Sequence, residues 1–338
     1  MMKRHKGFKL FLVLTIFTIV LFVLGPKPKD PKLNTDIPQV TKNLLELENS
    51  INQSEKSIKF LEPENRARII WADSSHKKKT KYSVVYLHGF GGTWMDGYPV
   101  NTQFAKRYGF NLFLSRLQYH GIENDNPLLG LSPDNYLASA AYAIAVGKAL
   151  GDSVIIMATS TGGTLALTLA KDHPEISALI LFSPNIELYN KYSFILTKPW
   201  GLQIARLIQG GKFKINNDPV SLQKYWLRKY RIESLVSLES LIENTMNKKT
   251  FSMVRQPVFL GYYYKNENEQ DTTVSVKREL EMFSELGTRA EMKMKVNFPN
   301  SGVHPIASCL MSKDVNNVEK ETFNFSDNVL KYKPINSK

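Results

Sequence analysis

The stretch VIIMATSTGGTLALTLA, residues 154–170, begins as an apolar strand-like run and continues as a helix-like segment. Ser160 stands at the junction, with Gly162 and Gly163 behind it. A strand that passes straight into a helix strains the backbone of the corner residue, and glycine lets the helix pass close to the strand without a Cβ clash. The stretch therefore predicts a nucleophile elbow with Ser160 at its tip. Ala158 replaces the first glycine of the usual G-x-S-x-G pattern.

Short apolar runs alternate with helix-like segments on both sides of this stretch. Continuous apolar strands between helices are typical of a parallel sheet that is covered on both faces. The sequence therefore predicts a doubly wound α/β domain, in which the lysine-rich residues 76–81 form a hairpin turn between the first two strands. Strands are predicted over 67–72, 82–87, 111–117, 153–159, 178–184, 257–263 and 292–298, and helices over 40–60, 98–108, 132–150, 161–172 and 273–287.

Between residues 187 and 254 no such strand is evident, and the sequence pattern is that of helices. An insertion of this kind in an open α/β sheet hangs over the carboxyl ends of the strands, where ligands bind, so a helical cap is expected. The predicted organisation is a signal anchor (1–25), a linker (26–39), the first part of the core (40–185), the cap (186–254) and the second part of the core (255–338).

The amino terminus carries four basic residues before Leu10, followed by the uncharged apolar segment 10–25. That length matches the shortest membrane-spanning helices, and Pro26 disfavours cleavage of a signal peptide. An uncleaved single-pass anchor is expected, with the catalytic domain on the non-cytoplasmic side. A removed signal, which would leave a secreted or periplasmic enzyme, is the alternative.

The formal charge is +13, from 44 Lys and Arg against 31 Asp and Glu. The basic residues form no recognised nucleic-acid-binding pattern, so nucleic acid is not an expected partner, whereas weak attraction to anionic membrane surfaces is. Cys309 is the single cysteine, which excludes an internal disulfide. No zinc-ligand spacing is present, and neither a metal nor another cofactor is expected.

Taken alone, Ser160 also fits a helix N-cap, where serine and threonine are common. The segment YLHGFGGT, residues 86–93, argues for the catalytic interpretation. A glycine-rich turn after a strand directs the backbone N–H of Phe90 into a cavity, and with the N–H of Thr161 it would form an oxyanion hole. His88 is expected to shape this loop rather than to react.

Two later loops offer the partners that a nucleophilic serine needs. His304 follows the last predicted strand, and imidazole titrates near neutrality, as a general base requires. The loop after strand 257–263 contains Glu267, Glu269 and Asp271. Asp271 lies directly before a helix and is the preferred acid to orient the imidazole, with Glu269 as the weaker alternative.

Five motifs together resemble the α/β-hydrolase superfamily, and within it serine carboxylesterases and monoacylglycerol-lipase-like enzymes with a helical cap. They are HGFGG (88–92), RLQYHG (116–121), ATSTGG (158–163), Asp271 and GVHP (302–305), and the resemblance covers about residues 69–313. Tyr119 stands where the resembling enzymes usually have glycine, and Ala158 is a second departure. Neither departure removes a catalytic group.

The expected function is hydrolysis of small-molecule carboxylic esters through an acyl-enzyme on Ser160. In the cap, Trp200, Tyr225 and Trp226 are candidate substrate-binding residues, although they also fit simple packing of the cap. An acyltransferase or thioesterase with the same triad, and a non-catalytic binding protein on the same fold, are the alternatives. The natural ester and the oligomeric state stay open.

Overall fold

A central mixed sheet organises the computed structural model, which describes residues 2–217 and 219–335 and, for residues 2–8, the backbone alone. In chain order the strands are β1 (Arg68–Ile70), β2 (Thr80–Leu87), β3 (Asn111–Leu114), β4 (Gly151–Thr159), β5 (Ile176–Phe182), β6 (Phe213–Ile215), β7 (Lys229–Arg231), β8 (Val258–Tyr262), β9 (Tyr264–Asn266), β10 (Glu269–Gln270) and β11 (Lys293–Asn297). The helices are α1 (Met2–Val23), α2 (Leu44–Ser57), α3 (Val100–Tyr108), α4 (Pro133–Leu150), α5 (Thr161–Ala170), α6 (Gly201–Ile208), α7 (Ile232–Thr245), α8 (Lys248–Met253), α9 (Val276–Glu285) and α10 (Val315–Asn328).

The central sheet has seven strands in the order β1-β3-β2-β4-β5-β8-β11, and only the β1–β3 pairing is antiparallel. Alternate residues of its strands enter two separate core layers. On β2, Val85 and Leu87 pack in the layer that contains α4 and α5, whereas Val84 and Tyr86 pack in the layer that contains α3 and α10. The sheet is therefore covered on both faces, and the predicted doubly wound α/β fold is confirmed.

The lysine-rich segment 76–81 is not a hairpin turn, contrary to the sequence prediction. β1 pairs with β3, through Arg68 opposite Leu114 and Ile70 opposite Leu112. The two sides of β2 are occupied by β3 and β4. Since β1 lies beyond β3, residues 71–79 form a connection that passes across the end of β3, and Thr80 and Lys81 already belong to β2.

Helix α2 is bound to the core by a buried ion pair. Asn43 caps its first turn, accepting hydrogen bonds from Leu45 and Glu46. Near its other end, the Glu55 carboxylate accepts from Arg116 Nε at 2.7 Å and from the backbone N–H of Ala67 at 2.8 Å. The RLQYHG segment that contains Arg116 is thus held in place by a helix that lies outside the family-like region.

The segment expected to be a linker, residues 26–39, lies on the domain surface and has no helix or strand. Asp134, at the start of α4, accepts hydrogen bonds from the backbone N–H groups of Lys32 (2.8 Å) and Leu33 (2.7 Å). His173 Nε2 lies 2.7 Å from the Thr35 carbonyl oxygen. These contacts make the segment an attached strap rather than a free spacer.

Helix α1 covers most of the predicted anchor. Across the described residues, however, no helix combines the length and apolar character that crossing a membrane requires. The expected transmembrane anchor is therefore without support here, and the non-cytoplasmic location stays a prediction.

The region between β5 and β8 contains α6, α7 and α8, as expected for a helical cap. It also contains the antiparallel pair β6–β7, with Phe213 opposite Arg231, so the expectation of a strandless insertion was wrong. Strands of three residues are too short to produce a recognisable alternation in sequence. The Leu227 N–H donates to the Gly91 carbonyl at 2.8 Å, which places this region over the carboxyl end of β2. The domain boundaries at residues 185 and 254 stay predictions.

Candidate active site

Ser160 lies at the sharp corner between β4 and α5. Its backbone has φ 53° and ψ −121°, a sparsely populated conformation for a residue with a side chain. The Ser160 N–H donates to the Phe182 carbonyl at 3.0 Å, which anchors the corner to β5. A Cβ on Gly162 would lie 2.1 Å from the Leu87 carbonyl oxygen. The close approach predicted from the glycines is therefore present.

His304 and Asp271 are joined directly. His304 Nδ1 lies 2.5 Å from Asp271 Oδ2, and the Asp271 side chain is fully buried. The other carboxylate oxygen, Oδ1, accepts from the N–H groups of Thr273 (2.8 Å) and Val274 (3.1 Å). This bonding orients the carboxylate and places the proton of a neutral imidazole on Nδ1, so Nε2 carries the lone pair. Glu269, the alternative acid, is exposed and pairs with Lys265.

A pocket of about 620 Å³ brings the predicted reactive groups together. Ser160, Thr161, His304 and Phe90 all line it. His304 Nε2 is buried and has no hydrogen-bond partner within the described residues. The structure thus joins His304 to Asp271 but contains no hydrogen bond from Ser160 to His304. Catalytic hydrogen bonds are often loose in unliganded sites and tighten with substrate.

The loop that carries Phe90 is held by His88 from behind. His88 Nε2 accepts from the Leu117 N–H at 3.0 Å, so its proton lies on Nδ1, which donates to the Gly89 carbonyl at 2.9 Å. Burial lowers the pKa of His88 to about 4. This neutral, fully bonded imidazole agrees with the structural role predicted for it.

Asp96 is a buried carboxylate in this pocket that the sequence reasoning missed. Its Oδ2 accepts from the Gly89 N–H at 2.7 Å, and its Oδ1 accepts from the Tyr86 hydroxyl. The Tyr86 hydroxyl also lies 2.8 Å from Thr159 Oγ1. Asp96 therefore links the loop that carries Phe90 to Thr159, the residue that precedes Ser160. The sequence signal was an acidic residue four positions after the HGFGG turn, which no general pattern singles out.

Burial raises the pKa of Asp96 to about 7, against the smaller opposing effects of Tyr86, the Gly89 N–H and His304. A carboxyl group of this kind changes charge near neutral pH. Because Asp96 accepts from the Gly89 N–H and lines the pocket, this change of charge takes place within the site.

Of the three predicted substrate-binding aromatics, Trp226 lines the pocket, together with Tyr230. Trp200 and Tyr225 are not part of the lining that the described residues form. Trp200 Nε1 donates instead to the Leu21 carbonyl of α1 at 3.0 Å, and the Tyr225 ring packs edge-on against Trp94. Polar groups of the cap that were not predicted complete the lining, namely Lys214, Asn216 and Asn217.

The part of the chain that the structure describes contains no group of three or more His, Cys, Asp or Glu residues placed to hold a metal ion.

The model of the serine aminopeptidase S33 family matches residues 78–256, more than half of the chain. The chain belongs to this family. The match includes the loop that carries Phe90, the Ser160 corner and most of the region between β5 and β8. Asp271 and His304 lie beyond the end of this match. In this S33-family chain their assignment to the site therefore depends on the geometry described above.

A thermostable monoacylglycerol lipase from Bacillus sp. (strain H-257) is 26% identical over 117 residues, or 35% of this chain and 46% of that protein. The match spans about half the length of that relative. Among solved structures, one reported with the metagenome-derived lipolytic enzymes LipS and LipT gives a TM-score of 0.62 at 14% identity, covering 78% of this chain and 98% of the other. A monoacylglycerol lipase from Paleococcus ferrophilus gives 0.57 at 14% identity, covering 77% and 96%. These structural likenesses show the shared α/β-hydrolase fold.

Proposed function

We propose that this protein is a serine hydrolase of carboxylic esters. The observation that carries the proposal is the His304–Asp271 pair in the pocket that Ser160 also lines, with His304 Nε2 lacking a hydrogen-bond partner among the described residues. An oriented imidazole beside a strained serine is the arrangement that activates a hydroxyl nucleophile. The names of similar proteins, monoacylglycerol lipases and lipolytic enzymes, support the ester as the bond that is cleaved.

In the proposed reaction, Ser160 Oγ attacks the ester carbonyl while His304 Nε2 accepts its proton. Asp271 holds the imidazole and stabilises its positive charge. The backbone N–H groups of Phe90 and Thr161 stabilise the oxyanion, and the amino terminus of α5 favours negative charge at the same place. His304 then protonates the leaving alcohol. Water, deprotonated by His304, releases the acid and regenerates Ser160.

An apolar chamber beside the pocket supports an apolar acyl group in the substrate. The chamber has a volume of about 250 Å³ and shares Leu188 and Leu235 with the catalytic pocket. Its other lining residues include Ile195, Ile204 and Ile232. Apolar surface that leaves water on binding contributes about 25 cal/mol per Å², so a chain of methylenes is the group that this chamber would hold best.

The catalytic pocket also has polar lining residues. Lys214, Asn216 and Asn217 from the cap and Asn185 from the loop after β5 line it. These groups donate and accept hydrogen bonds and suit a small hydroxylated alcohol. We infer that the substrate is an ester of an apolar acyl chain with a small polar alcohol.

The test compares Ser160→Ala with Ser153→Ala, a serine at the other end of the same strand. Substrates are p-nitrophenyl esters of increasing acyl length, and a fluorophosphonate probe reports covalent labelling. We expect Ser160→Ala to abolish turnover and labelling without loss of thermal stability, and Ser153→Ala to keep both. Full turnover by Ser160→Ala would refute the assignment. Release of a transferred ester instead of free acid, in the presence of a competing alcohol, would favour an acyltransferase.

A further inference from the structure

One face of the cap helix α6 exposes apolar side chains to solvent. Trp200, Ile204, Leu207 and Ile208 follow helical spacing, and Leu207 and Ile208 are 82% and 75% exposed. We call these four residues the α6 stripe. Apolar residues at this spacing normally face a core, and here they face outward. Leu207 and Ile208 are therefore the exposed part of the stripe, whereas Trp200 is in contact with the end of α1.

The stripe borders the apolar chamber. Ile204 and Ile208 belong to it and also line the chamber beside the catalytic pocket. A molecule in contact with the stripe is thus adjacent to the space proposed for the acyl chain.

The surrounding part of the cap is strongly basic. Residues 190–231 contain nine Lys and Arg and a single acidic residue, Asp218, a net +8 within a chain of +13. Lys198 and Arg206 are neutralised by ion pairs with Glu243 and Glu233. Lys212, which is close to the stripe in sequence, is exposed. A positive surface with an apolar centre is complementary to an anionic lipid surface.

The end of α1 adjoins the same stripe. The backbone N–H of Trp200 donates to the Pro26 carbonyl at 2.9 Å. The Trp200 indole fills the space beside Gly25, where an added Cβ would lie 2.1 Å from Nε1. The apolar side chains of α1 from Leu10 onward, and that of Leu24 just after it, are exposed. Two exposed apolar surfaces of the chain therefore meet at Trp200.

We propose that the α6 stripe docks on an anionic phospholipid bilayer, with the helix lying in the plane of the interface. The outward apolar face, the basic surround and the junction with α1 all point to this partner. Docking would place the chamber at the acyl region of the bilayer, so an acyl chain would enter it without crossing water. The route for the acyl chain rests on the proposed function, but the docking does not, and its test measures binding alone.

The test uses full-length protein with Cys309→Ser, into which Leu207→Cys is introduced and labelled with the environment-sensitive fluorophore NBD. The matched control is Met253→Cys, an exposed apolar position at the opposite end of the sheet, near Ser153. We expect phosphatidylcholine vesicles containing phosphatidylglycerol to shift the emission of the Leu207 label to the blue. The Met253 label should stay unchanged, and pure phosphatidylcholine should give a weaker response.

A second variant tests the charge. Lys212→Gln should weaken partitioning to the anionic vesicles about fivefold, the equivalent of about 1 kcal/mol for one lysine near such a surface. Three results would overturn the proposal. The first is binding of the protein to the vesicles while the Leu207 label stays in water. The second is an equal emission shift of the Leu207 and Met253 labels. The third is a shift of the Leu207 label that grows with protein concentration in the absence of lipid, which would assign the stripe to a second copy.

Discussion

His304 Nδ1 lies 2.5 Å from Asp271 Oδ2, although 33 residues separate them in the chain. The two residues follow neighbouring parallel strands, β8 and β11, and the carboxyl ends of such strands meet at one edge of the sheet. Asp271 is buried and receives two backbone N–H groups besides the imidazole. His304 Nδ1 is therefore engaged by Asp271, and Nε2 is the ring nitrogen that can accept a proton.

Replacing Asp271 by Asn should retain the fold but stabilise the wrong imidazole tautomer. We expect kcat to fall about 10⁴-fold, as in serine hydrolases in which this acid is neutralised. Steady-state kinetics with a short p-nitrophenyl ester provide the measurement. Glu269→Gln is the control, because Glu269 is exposed on the same loop, and it should leave kcat unchanged. A comparable loss in both variants would contradict the role given to Asp271.

Asp96 should act as a positioning residue for the oxyanion loop. Asp96→Ala removes the acceptor of the Gly89 N–H, next to Phe90, and we expect kcat to fall about 10²-fold, approaching the loss of an oxyanion donor. The value of KM should change little, because ground-state contacts persist. Asp96→Asn keeps an acceptor oxygen and should recover most of the activity. Equal rates for Asp96→Ala and the parent protein would exclude this role.

The raised pKa of Asp96 also predicts how stability depends on pH. The unfolded chain releases this proton near pH 3.8, whereas the folded protein retains it up to about pH 7. Between these values the folded state binds one more proton, so stability falls as pH rises, by up to about 1.4 kcal/mol per pH unit, and levels off above pH 7. Urea unfolding of the parent and of Asp96→Asn should show this slope in their difference. A difference independent of pH would disprove it.

Gly162 should not tolerate a side chain. Alanine favours a helix over glycine by about 1 kcal/mol, but its Cβ would overlap the Leu87 backbone, and overpacking of this kind costs about 3 kcal/mol. We expect Gly162→Ala to lower the free energy of unfolding and to impair turnover. Gly211→Ala is the control, because nothing lies within 4 Å of its Cβ position. Denaturant unfolding measures the free energy of unfolding of both variants. Equal values for Gly162→Ala and Gly211→Ala would contradict the close approach of α5 to Leu87.

The junction between the catalytic pocket and the chamber should set acyl-length preference. Leu235→Trp narrows the junction, and each methylene kept out of the chamber loses about 0.8 kcal/mol, or about fourfold in kcat/KM. We expect long-chain esters to lose kcat/KM while short-chain esters retain it. Val220→Trp, at an exposed cap position outside both cavities, should leave the profile unchanged. An unaltered profile for Leu235→Trp would rule out the chamber as the acyl site.

The sequence by itself determined the sheet, the Ser160 corner and the identity of the loops that carry Asp271 and His304. These features are local, because strand and helix patterns and the glycines after Ser160 are legible over a few residues, and parallel topology then brings the loops together. Only the tertiary structure decided that β1 pairs with β3, that Asp96 binds Gly89, and that Trp200 contacts Leu21 across 179 residues rather than lining the pocket beside Ser160. Such pairings depend on how distant surfaces pack, and no short-range pattern records that choice.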